Sequence, residues 1–292
     1  ITIKKFLRKK KIKQSNKVKS DFAIHFFHKG NIFRKINYLI NNEIENIQSQ
    51  NTYSFMKNNF DKVFTMLDDY VDNKKFFKMF EPNFFPKINK KKFFNKKRKF
   101  LCTICGNKYT KLKTKGDLYA YRYADIKYFE KKIPKQFDLY GTDWQSIKRE
   151  NNFLNKIIFK IFQKLPHNSN LIHKSNKGRL KSKRSLKNYT FSICYENSSL
   201  HNGYITEKIF DSFFYGNIPI YLGAPNVTKY IPANCFIDRR NFKDCSSLLN
   251  YLESMNEKTI GNYKINIFKF LKSNKAKRFT PINVAKLIYK NF

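Results

Sequence analysis

The chain has 292 residues, with 60 Lys or Arg against 21 Asp or Glu, so its formal net charge is +39. Apolar residues make up 41%, including 31 Phe, which is enough for the cores of two domains of ordinary size. No run approaches the roughly 18 apolar residues of a membrane-spanning helix, and no apolar signal core follows the basic N-terminus. We therefore expect a soluble or peripheral protein.

The excess of basic residues has three competing explanations. Basic stripes interleaved with aromatic residues are typical of nucleic-acid binders, but here the lysines are spread along the whole chain without a nucleic-acid-binding motif. We therefore expect no nucleic-acid partner. The segment Lys4–Lys19, with eight Lys and one Arg, suits an anionic membrane surface, where each charge contributes about 1 kcal/mol. Abundant Asn, Ile, Phe and Tyr are also typical of an AT-rich coding sequence, which would account for much of the lysine.

Alternating apolar runs and breaker residues predict an α/β protein of two domains. In chain order, strands are predicted near 22–27, 36–41 and 61–65, followed by a helix near 67–78. A linker rich in Pro, Asn and Lys runs from Glu81 to Lys99. Beyond it, strands are predicted near 99–105, 137–140, 190–195, 218–222 and 235–238, and helices near 117–130, 206–215, 245–254 and 264–271. We divide the chain into a basic arm (1–20), a partial first domain (21–95), a second domain (96–271) and a C-terminal tail (272–292).

The five cysteines do not form an obvious disulfide framework. Cys102 and Cys105 have the C-x-x-C spacing, but they lie on a predicted strand, where side chains three residues apart point to opposite faces. We therefore expect buried thiols and a reducing compartment.

The segment 188–242 carries the chemistry-bearing residues. An apolar strand at Phe191–Tyr195 leads through a polar loop to a helix that begins after Thr206, and a second strand follows. In such βαβ units, ligands bind at the carboxyl ends of strands beside helix N-termini. Lys208 in the first helical turn suits a phosphate or diphosphate, and Glu207 suits sugar hydroxyl groups. The alternative is that Glu207 complements the helix dipole and that Lys208 is a solvated surface residue.

This segment resembles the donor-binding signature of the α1,3-fucosyltransferases. The signature appears as Glu196-Asn197-Ser198, Gly203-Tyr204-Ile205-Thr206-Glu207-Lys208, Ile218-Pro219-Ile220-Tyr221-Leu222-Gly223 and Phe236-Ile237-Asp238. Weaker similarity extends upstream over Phe60–Phe80, Arg98–Lys108, Gly116–Phe129 and Phe137–Trp144. The resemblance implies the GT-B architecture, in which two Rossmann-like domains face each other across a cleft, here with an abbreviated N-terminal domain.

The resemblance also implies roles for individual residues. Lys208 and Arg122 match the two cations that neutralise the donor diphosphate. Tyr204 and Glu207 match positions that contact the ribose and base, and Asn197 matches one near the fucose and phosphates. For Arg122 the alternative is an ordinary arginine on a helix surface.

The implied reaction is the transfer of L-fucose from GDP-fucose, with inversion, to a glycan hydroxyl group, and the expected position is O3 of N-acetylglucosamine in an acceptor such as N-acetyllactosamine. Such a displacement needs a general base for the acceptor hydroxyl group. The family carries this carboxylate about 17 residues before the strand that begins here at Phe60, which points to Glu43. Glu45 is its rival, and both are alternatively ordinary loop carboxylates.

The resemblance requires no metal ion or cofactor, although it leaves room for stimulation of turnover by a divalent cation. Asp68, Asp69 and Asp72 invite comparison with the D-x-D metal motif, but we expect them at a helix start, facing solvent. The alternative functions are a non-catalytic relative that binds a GDP-sugar or glycan, and a transferase for another sugar nucleotide. The expected location is the cytoplasm, including the inner membrane face, for a bacterial protein, and the Golgi for a eukaryotic one.

Overall fold

The computed structural model describes residues 22–26, 36–45, 47–95, 99–108, 115–144 and 175–291, so the basic arm lies outside the described residues. The strands of this part are β1 (Phe22–Phe26), β2 (Ile36–Asn41), β3 (Lys62–Thr65), β4 (Phe76–Lys78), β5 (Lys99–Ile104), β6 (Phe137–Tyr140), β7 (Tyr189–Tyr195), β8 (Ile218–Leu222) and β9 (Ile237–Asp238). Its helices are α1 (Tyr53–Asn59), α2 (Lys90–Phe94), α3 (Tyr119–Lys132), α4 (Glu207–Phe214), α5 (Cys245–Ser254), α6 (Glu257–Lys272), α7 (Asn274–Lys277) and α8 (Pro281–Lys290).

The first sheet is parallel, with the order β1-β2-β3-β4. Because side chains alternate along a strand, its apolar residues divide between two faces. One face packs against Met56 of α1, and the other packs against Val284 and Ile288 of α8. The sheet is therefore covered on both sides, as parallel sheets require.

The prediction of a helix near residues 67–78 is wrong. Residues 68–70 form a single 3-10 turn, and β4 then pairs in parallel with β3. The Asp72 carboxylate accepts hydrogen bonds from the backbone N–H groups of residues 74–76, each at 2.8 Å, and Asn73 has a positive φ of 58°. This side-chain-stabilised turn replaces the helix and redirects the chain into the edge strand.

The second sheet is parallel, with the order β6-β5-β7-β8-β9. Its core divides into two clusters, one shared with α4 and α6 and the other with α3 and α5. The elements predicted for this half are present within a few residues of their predicted bounds, except that α6 begins earlier, at Glu257. Helices thus cover both faces of the sheet, which is the doubly wound arrangement expected from the sequence.

Residues 272–292, which the sequence assigned to a tail, contain α7 and α8. Helix α8 packs on the first sheet, and the carbonyl oxygen of Asn291 accepts hydrogen bonds from Tyr38 Oη at 3.2 Å and Lys62 Nζ at 2.5 Å. The chain therefore returns to the first domain after completing the second.

The cysteines are free thiols, and Cys102 is fully buried on β5. Burial raises its pKa well above the ordinary value, so the thiol stays neutral. Among the described residues, no helix combines the length and apolar character needed to cross a bilayer.

Candidate functional site

A cavity of about 500 Å³ lies between the two domains. It is bordered by residues that directly follow parallel strands: Asn42 and Glu43 after β2, Cys105 after β5, Gly141 after β6 and Asn197 in the turn after β7. The carboxyl ends of both sheets therefore open into one space, which is where ligands bind in parallel α/β folds.

Lys208 lines this cavity from the first turn of α4. Its ammonium group lies 3.2 Å from the Glu196 carboxylate, which is fully buried, and 3.0 Å from Thr206 Oγ1. Burial opposes the charged form of Lys208, but attraction to Glu196 and Glu207 exceeds that effect and raises its pKa. Lys208 is therefore a fixed, protonated cation.

The N-terminus of α4 also faces this region. Thr206 does not cap the helix with its side chain; its hydroxyl group instead donates to Glu196 at 2.6 Å, and its backbone N–H donates to the same carboxylate at 2.8 Å. The first turn of the helix is thus left without a side-chain cap, beside a protonated lysine. Such an arrangement suits an anion.

Arg122 is buried on α3, with 6% of its surface exposed, so it is not a solvated surface residue. Its Nη2 atom donates to the carbonyl oxygens of Tyr195 and Glu196 at 2.9 and 2.6 Å. Its Nε atom is buried without a partner among the described residues. Arg122 therefore supports the end of β7 and adds a second cation to the cavity wall.

Tyr204 connects the two domains. It is fully buried, and its hydroxyl group donates to Glu43 Oε1 at 2.5 Å while Asn197 Nδ2 donates to the Tyr204 oxygen at 3.3 Å. Burial and the Glu43 charge raise the Tyr204 pKa far above its ordinary value, so the phenol keeps its proton. The predicted contact of Tyr204 with the nucleotide stays a prediction, and the hydrogen bond to Glu43 was not foreseen.

Glu43 and Glu45 occupy different surroundings. Glu43 borders the cavity, and its Oε1 also accepts from the Ile44 backbone at 3.2 Å. Glu45 does not border the cavity; its charge acts instead on Tyr70 and His201, which lie to one side. The geometry thus favours Glu43 over Glu45 as the residue that faces a bound molecule.

Glu207 lines the cavity beside Lys208, with Nζ 3.8 Å from its Oε1. Burial opposes its ionised form, but attraction to Lys208 exceeds this effect and lowers the Glu207 pKa. Glu207 is therefore an ionised acceptor that ligand hydroxyl groups can reach.

Four charged residues that were not predicted from the sequence also border the cavity: Glu81, Lys108, Arg179 and Lys183. The three cations belong to the second domain, as do Arg122 and Lys208. Glu43 and Glu81 belong to the first. Arg179 and Lys183 stand in the basic run before β7, whose composition was the available signal, but nothing in the sequence placed this run at the cavity. Among the described residues, all the cations that border the cavity thus come from the second domain, together with Glu207, whereas the charged residues of the first domain there are carboxylates.

Asp68 is not the solvent-facing residue we expected. It forms an ion pair with Lys78 at 2.6 Å and accepts hydrogen bonds from Tyr230 at 2.5 Å and Asn226 at 2.7 Å. The last two residues belong to the second domain, so these bonds join the two domains. Gly203 fits closely against Asp68 and Lys78 with a positive φ of 77°. Among the described residues, no group of three His, Cys, Asp or Glu side chains could hold a metal ion.

Gly223 follows β8 and lies directly behind the Glu196 carboxylate. A Cβ atom at this position would overlap Glu196 Cγ and would lie 2.5 Å from the Tyr221 hydroxyl oxygen. Glycine is therefore needed here for the close approach of Glu196, which in turn holds Thr206 and Lys208.

Residues 142–279, just under half of the chain, match the family model described as "Glycosyltransferase family 10 (fucosyltransferase) C-term". The chain is therefore related to the family 10 fucosyltransferases. This finding confirms the resemblance that rested on the motifs between Glu196 and Asp238.

Curated relatives match this chain in sequence over a short segment. The chain is 38% identical over 68 residues to the alpha-(1,3)-fucosyltransferase FucT of Helicobacter pylori, covering 23% of this chain and 14% of that protein. It is 39% identical over 69 residues to a mouse protein, 4-galactosyl-N-acetylglucosaminide 3-alpha-L-fucosyltransferase 9, covering 23% of this chain and 19% of the relative. The matched segment thus spans less than a fifth of either relative.

Similarity in fold extends much further. A crystal structure of an α1,3-fucosyltransferase with GDP covers 99% of this chain, and the chain covers 84% of that structure, with a TM-score of 0.56 and 16% sequence identity. At this identity the match establishes the fold alone. The fold is the expected GT-B type, with two α/β domains facing across a cleft.

Proposed function

We propose that the protein is an inverting fucosyltransferase that moves L-fucose from GDP-fucose to a glycan hydroxyl group, with O3 of N-acetylglucosamine as the favoured acceptor position. The observation that carries this proposal is the division of charge across the cavity. Lys208 and Arg122 lie on the side that carries the family's donor-binding motifs, and Glu43 lies opposite, on the first domain.

The cationic side suits a nucleoside diphosphate. Lys208 is held protonated by Glu196, and Arg122 is held by two backbone carbonyl groups, so both cations are in place before a ligand binds. Preorganised cations stabilise the charge that develops on a departing diphosphate without reorganisation during the reaction. Glu207 would accept hydrogen bonds from ribose hydroxyl groups, as the acidic residue does in dinucleotide sites.

The carboxylate side suits the acceptor. In a single displacement, Glu43 takes the proton of the acceptor hydroxyl group, the acceptor oxygen forms the new bond to the anomeric carbon, and the bond from that carbon to the diphosphate oxygen breaks. The β-linked fucose of the donor becomes α-linked in the product. GDP leaves with its charge compensated by Lys208 and Arg122. Tyr204 orients the base through its hydrogen bond to Glu43 Oε1.

No metal ion is required in this scheme because cationic side chains already face the diphosphate position. The residue types at the cavity, mainly basic on the donor side, fit this arrangement. Chelation with EDTA should therefore leave GDP release intact, and a divalent cation should at most stimulate it.

GDP release from GDP-fucose with N-acetyllactosamine as acceptor tests the proposal. We expect turnover by the unaltered chain, loss of donor binding in Lys208→Ala, and loss of turnover with retained GDP binding in Glu43→Gln. Lys258→Ala and Glu253→Ala are matched controls, since both residues are exposed on helices away from the cavity. Unaltered donor binding in Lys208→Ala would contradict the proposal.

The same assay separates the alternative functions. A non-catalytic relative would bind GDP saturably and release none from GDP-fucose in any variant. A transferase for another sugar nucleotide would turn over UDP-glucose or GDP-mannose in preference to GDP-fucose. Product linkage, read by NMR, would distinguish transfer to O3 from transfer to O4.

A further inference from the structure

Glu81 stands at a position that no motif marks. It lies three residues after β4, where the chain leaves the first sheet for the linker, and its side chain borders the interdomain cavity. Its backbone carbonyl oxygen accepts a hydrogen bond from Asn83 Nδ2 at 2.9 Å, which fixes the local chain. Glu81 thus presents a second carboxyl group of the first domain to the same space as Glu43.

The surroundings of Glu81 disfavour a negative charge. Its Oε2 atom is buried and has no hydrogen-bond partner among the described residues. The Glu81 pKa is raised to about 7, and burial is the strongest cause. The negative charges of Glu207 and Glu196 also raise this pKa, whereas a hydrogen bond with Asn42 and the charge of Lys208 lower it. A carboxyl group with this pKa is mostly protonated below about pH 7.

We infer that Glu81 acts as a neutral carboxyl group that hydrogen-bonds a hydroxyl group of the sugar bound in the interdomain cavity. The inference rests on the proposed function, because that function supplies the sugar. A neutral carboxyl group both donates and accepts, as a sugar hydroxyl group does. Because Oε2 has no partner among the described residues, it can bond a sugar hydroxyl group without losing an existing hydrogen bond.

The two carboxyl groups of the first domain therefore have different roles. Tyr204 donates its O–H to Glu43, an interaction that needs an accepting oxygen there. Glu81 has no such hydroxyl donor among the described residues, and the negative charge of Glu207 opposes its ionisation.

Calorimetry with GDP and GDP-fucose, together with KM for N-acetyllactosamine, tests the inference on Glu81→Ala and Glu81→Gln. Loss of one buried hydrogen bond should weaken one sugar ligand by about tenfold in the alanine variant. The glutamine variant should recover most of this loss, because its side-chain amide is neutral, is similar in size to the carboxyl group and can both donate and accept.

The ligand that weakens identifies the bound sugar. The hydroxyl group belongs to the fucosyl donor if GDP-fucose affinity changes, and to the acceptor if the acceptor KM changes. GDP affinity should stay within about twofold in both variants, since GDP contains neither the fucosyl group nor the acceptor sugar, and its ribose is assigned to Glu207.

Equal weakening in Glu81→Gln and Glu81→Ala would overturn the inference, since it would show that an ionised carboxylate is needed. Unchanged GDP-fucose affinity and acceptor KM in Glu81→Ala would overturn it as well. A parent chain that binds no GDP would instead refute the proposed function.

The protonation state of Glu81 is measured without any ligand by NMR of the side-chain carboxyl carbon. A signal that titrates near neutral pH and disappears in Glu81→Gln is expected, and titration in the ordinary range for glutamate would contradict the neutral state.

Discussion

The Tyr204 hydroxyl group donates a hydrogen bond of 2.5 Å to the Glu43 carboxylate, although the two residues are 161 positions apart in the chain. Tyr204 precedes α4 in the second domain, and Glu43 follows β2 in the first. The bond therefore spans the cleft and ties the orientation of the proposed base to the loop that begins the donor-binding helix.

Tyr204→Phe should lower kcat by about tenfold to a hundredfold, because a hydrogen bond to a charged group contributes about 1.5–3 kcal/mol. The fold should persist, since the ring is completely buried and Phe has the same shape. Steady-state kinetics with GDP-fucose and an acceptor measures the effect. Tyr121→Phe, at a residue that is 43% exposed, is the matched control.

If Tyr204 acts through Glu43, the two substitutions should not be additive. In a Glu43→Gln background, Tyr204→Phe should lower kcat by a much smaller factor than it does in the parent protein. Equal losses in both backgrounds would argue that Tyr204 acts independently, for instance through the predicted contact with the nucleotide.

Lys183→Ala should weaken GDP binding by about threefold to tenfold and reduce its dependence on salt, because the residue borders the cavity together with Lys208 and Asp211 holds its ammonium group at 2.5 Å. Lys187 lies on the same 3-10 segment, is exposed and does not border the cavity. Lys187→Ala changes the total charge equally and should leave GDP affinity unchanged. Equal effects of the two variants would show that only overall charge matters.

Gly223→Ala should destabilise the protein and abolish donor binding, since the added Cβ would push against the Glu196 side chain that holds Lys208. Gly261 provides the opposite case, because a Cβ there meets no atom within 4 Å and the residue lies inside α6. Gly261→Ala should raise the free energy of unfolding by about 0.5–1 kcal/mol. Urea denaturation and GDP calorimetry on both variants check this contrast.

Asp68→Ala should lower the free energy of unfolding by about 3 kcal/mol, because it leaves the Lys78 ammonium group buried without its ionic partner. Additional replacement of Lys78 by Met should recover much of the loss. Burial opposes ionisation of Asp68, but its bonds with Lys78 and Tyr230 exceed that effect and lower its pKa. The contribution of Asp68 to the free energy of unfolding is therefore present above the ordinary aspartate pKa. It disappears as pH falls through the lowered pKa of the folded state.

The Glu81 pKa predicts a pH-dependent difference in stability. The folded-state pKa of about 7 lies above the ordinary value of 4.5. The contribution of Glu81 to the free energy of unfolding is therefore fully present below pH 4.5 and is lost as pH rises through 7. Glu81→Gln lacks this titration. Its free energy of unfolding relative to the parent should therefore rise by about 3 kcal/mol between acidic and mildly alkaline pH. Parallel curves for the two proteins in urea denaturation would contradict the prediction.

Much of the second domain could be predicted because its elements are signalled locally. The apolar run at Ile218–Leu222 and the helix start after Thr206 need no tertiary information to be recognised. The first domain was harder, since the turn at Asp72 depends on side-chain hydrogen bonds that compete with helix formation. Helix α8 did carry signals, with Pro281 in its first turn and apolar residues at helical spacing, but its packing partner lies more than two hundred residues away.

The candidate site was predictable only where a motif carried it. Lys208 was indicated by its place at the helix start and by the resemblance, Arg122 by the resemblance alone, and both border the cavity. Glu81 was not predicted, because its unusual pKa comes from burial and from the proximity of Glu207. The spacing of residues along the sequence reveals neither of these. Lys183 likewise acquires its position from the way the chain approaches β7, after residues that carry no recognisable signal.

Because α8 completes the core beneath the first sheet, the domain that is synthesised first cannot finish folding until residues 281–290 have emerged from the ribosome. Until then, one apolar face of that sheet, including Tyr38 and Phe64, lacks its cover. Removal of α8 should therefore leave this apolar face permanently exposed and send the protein into inclusion bodies.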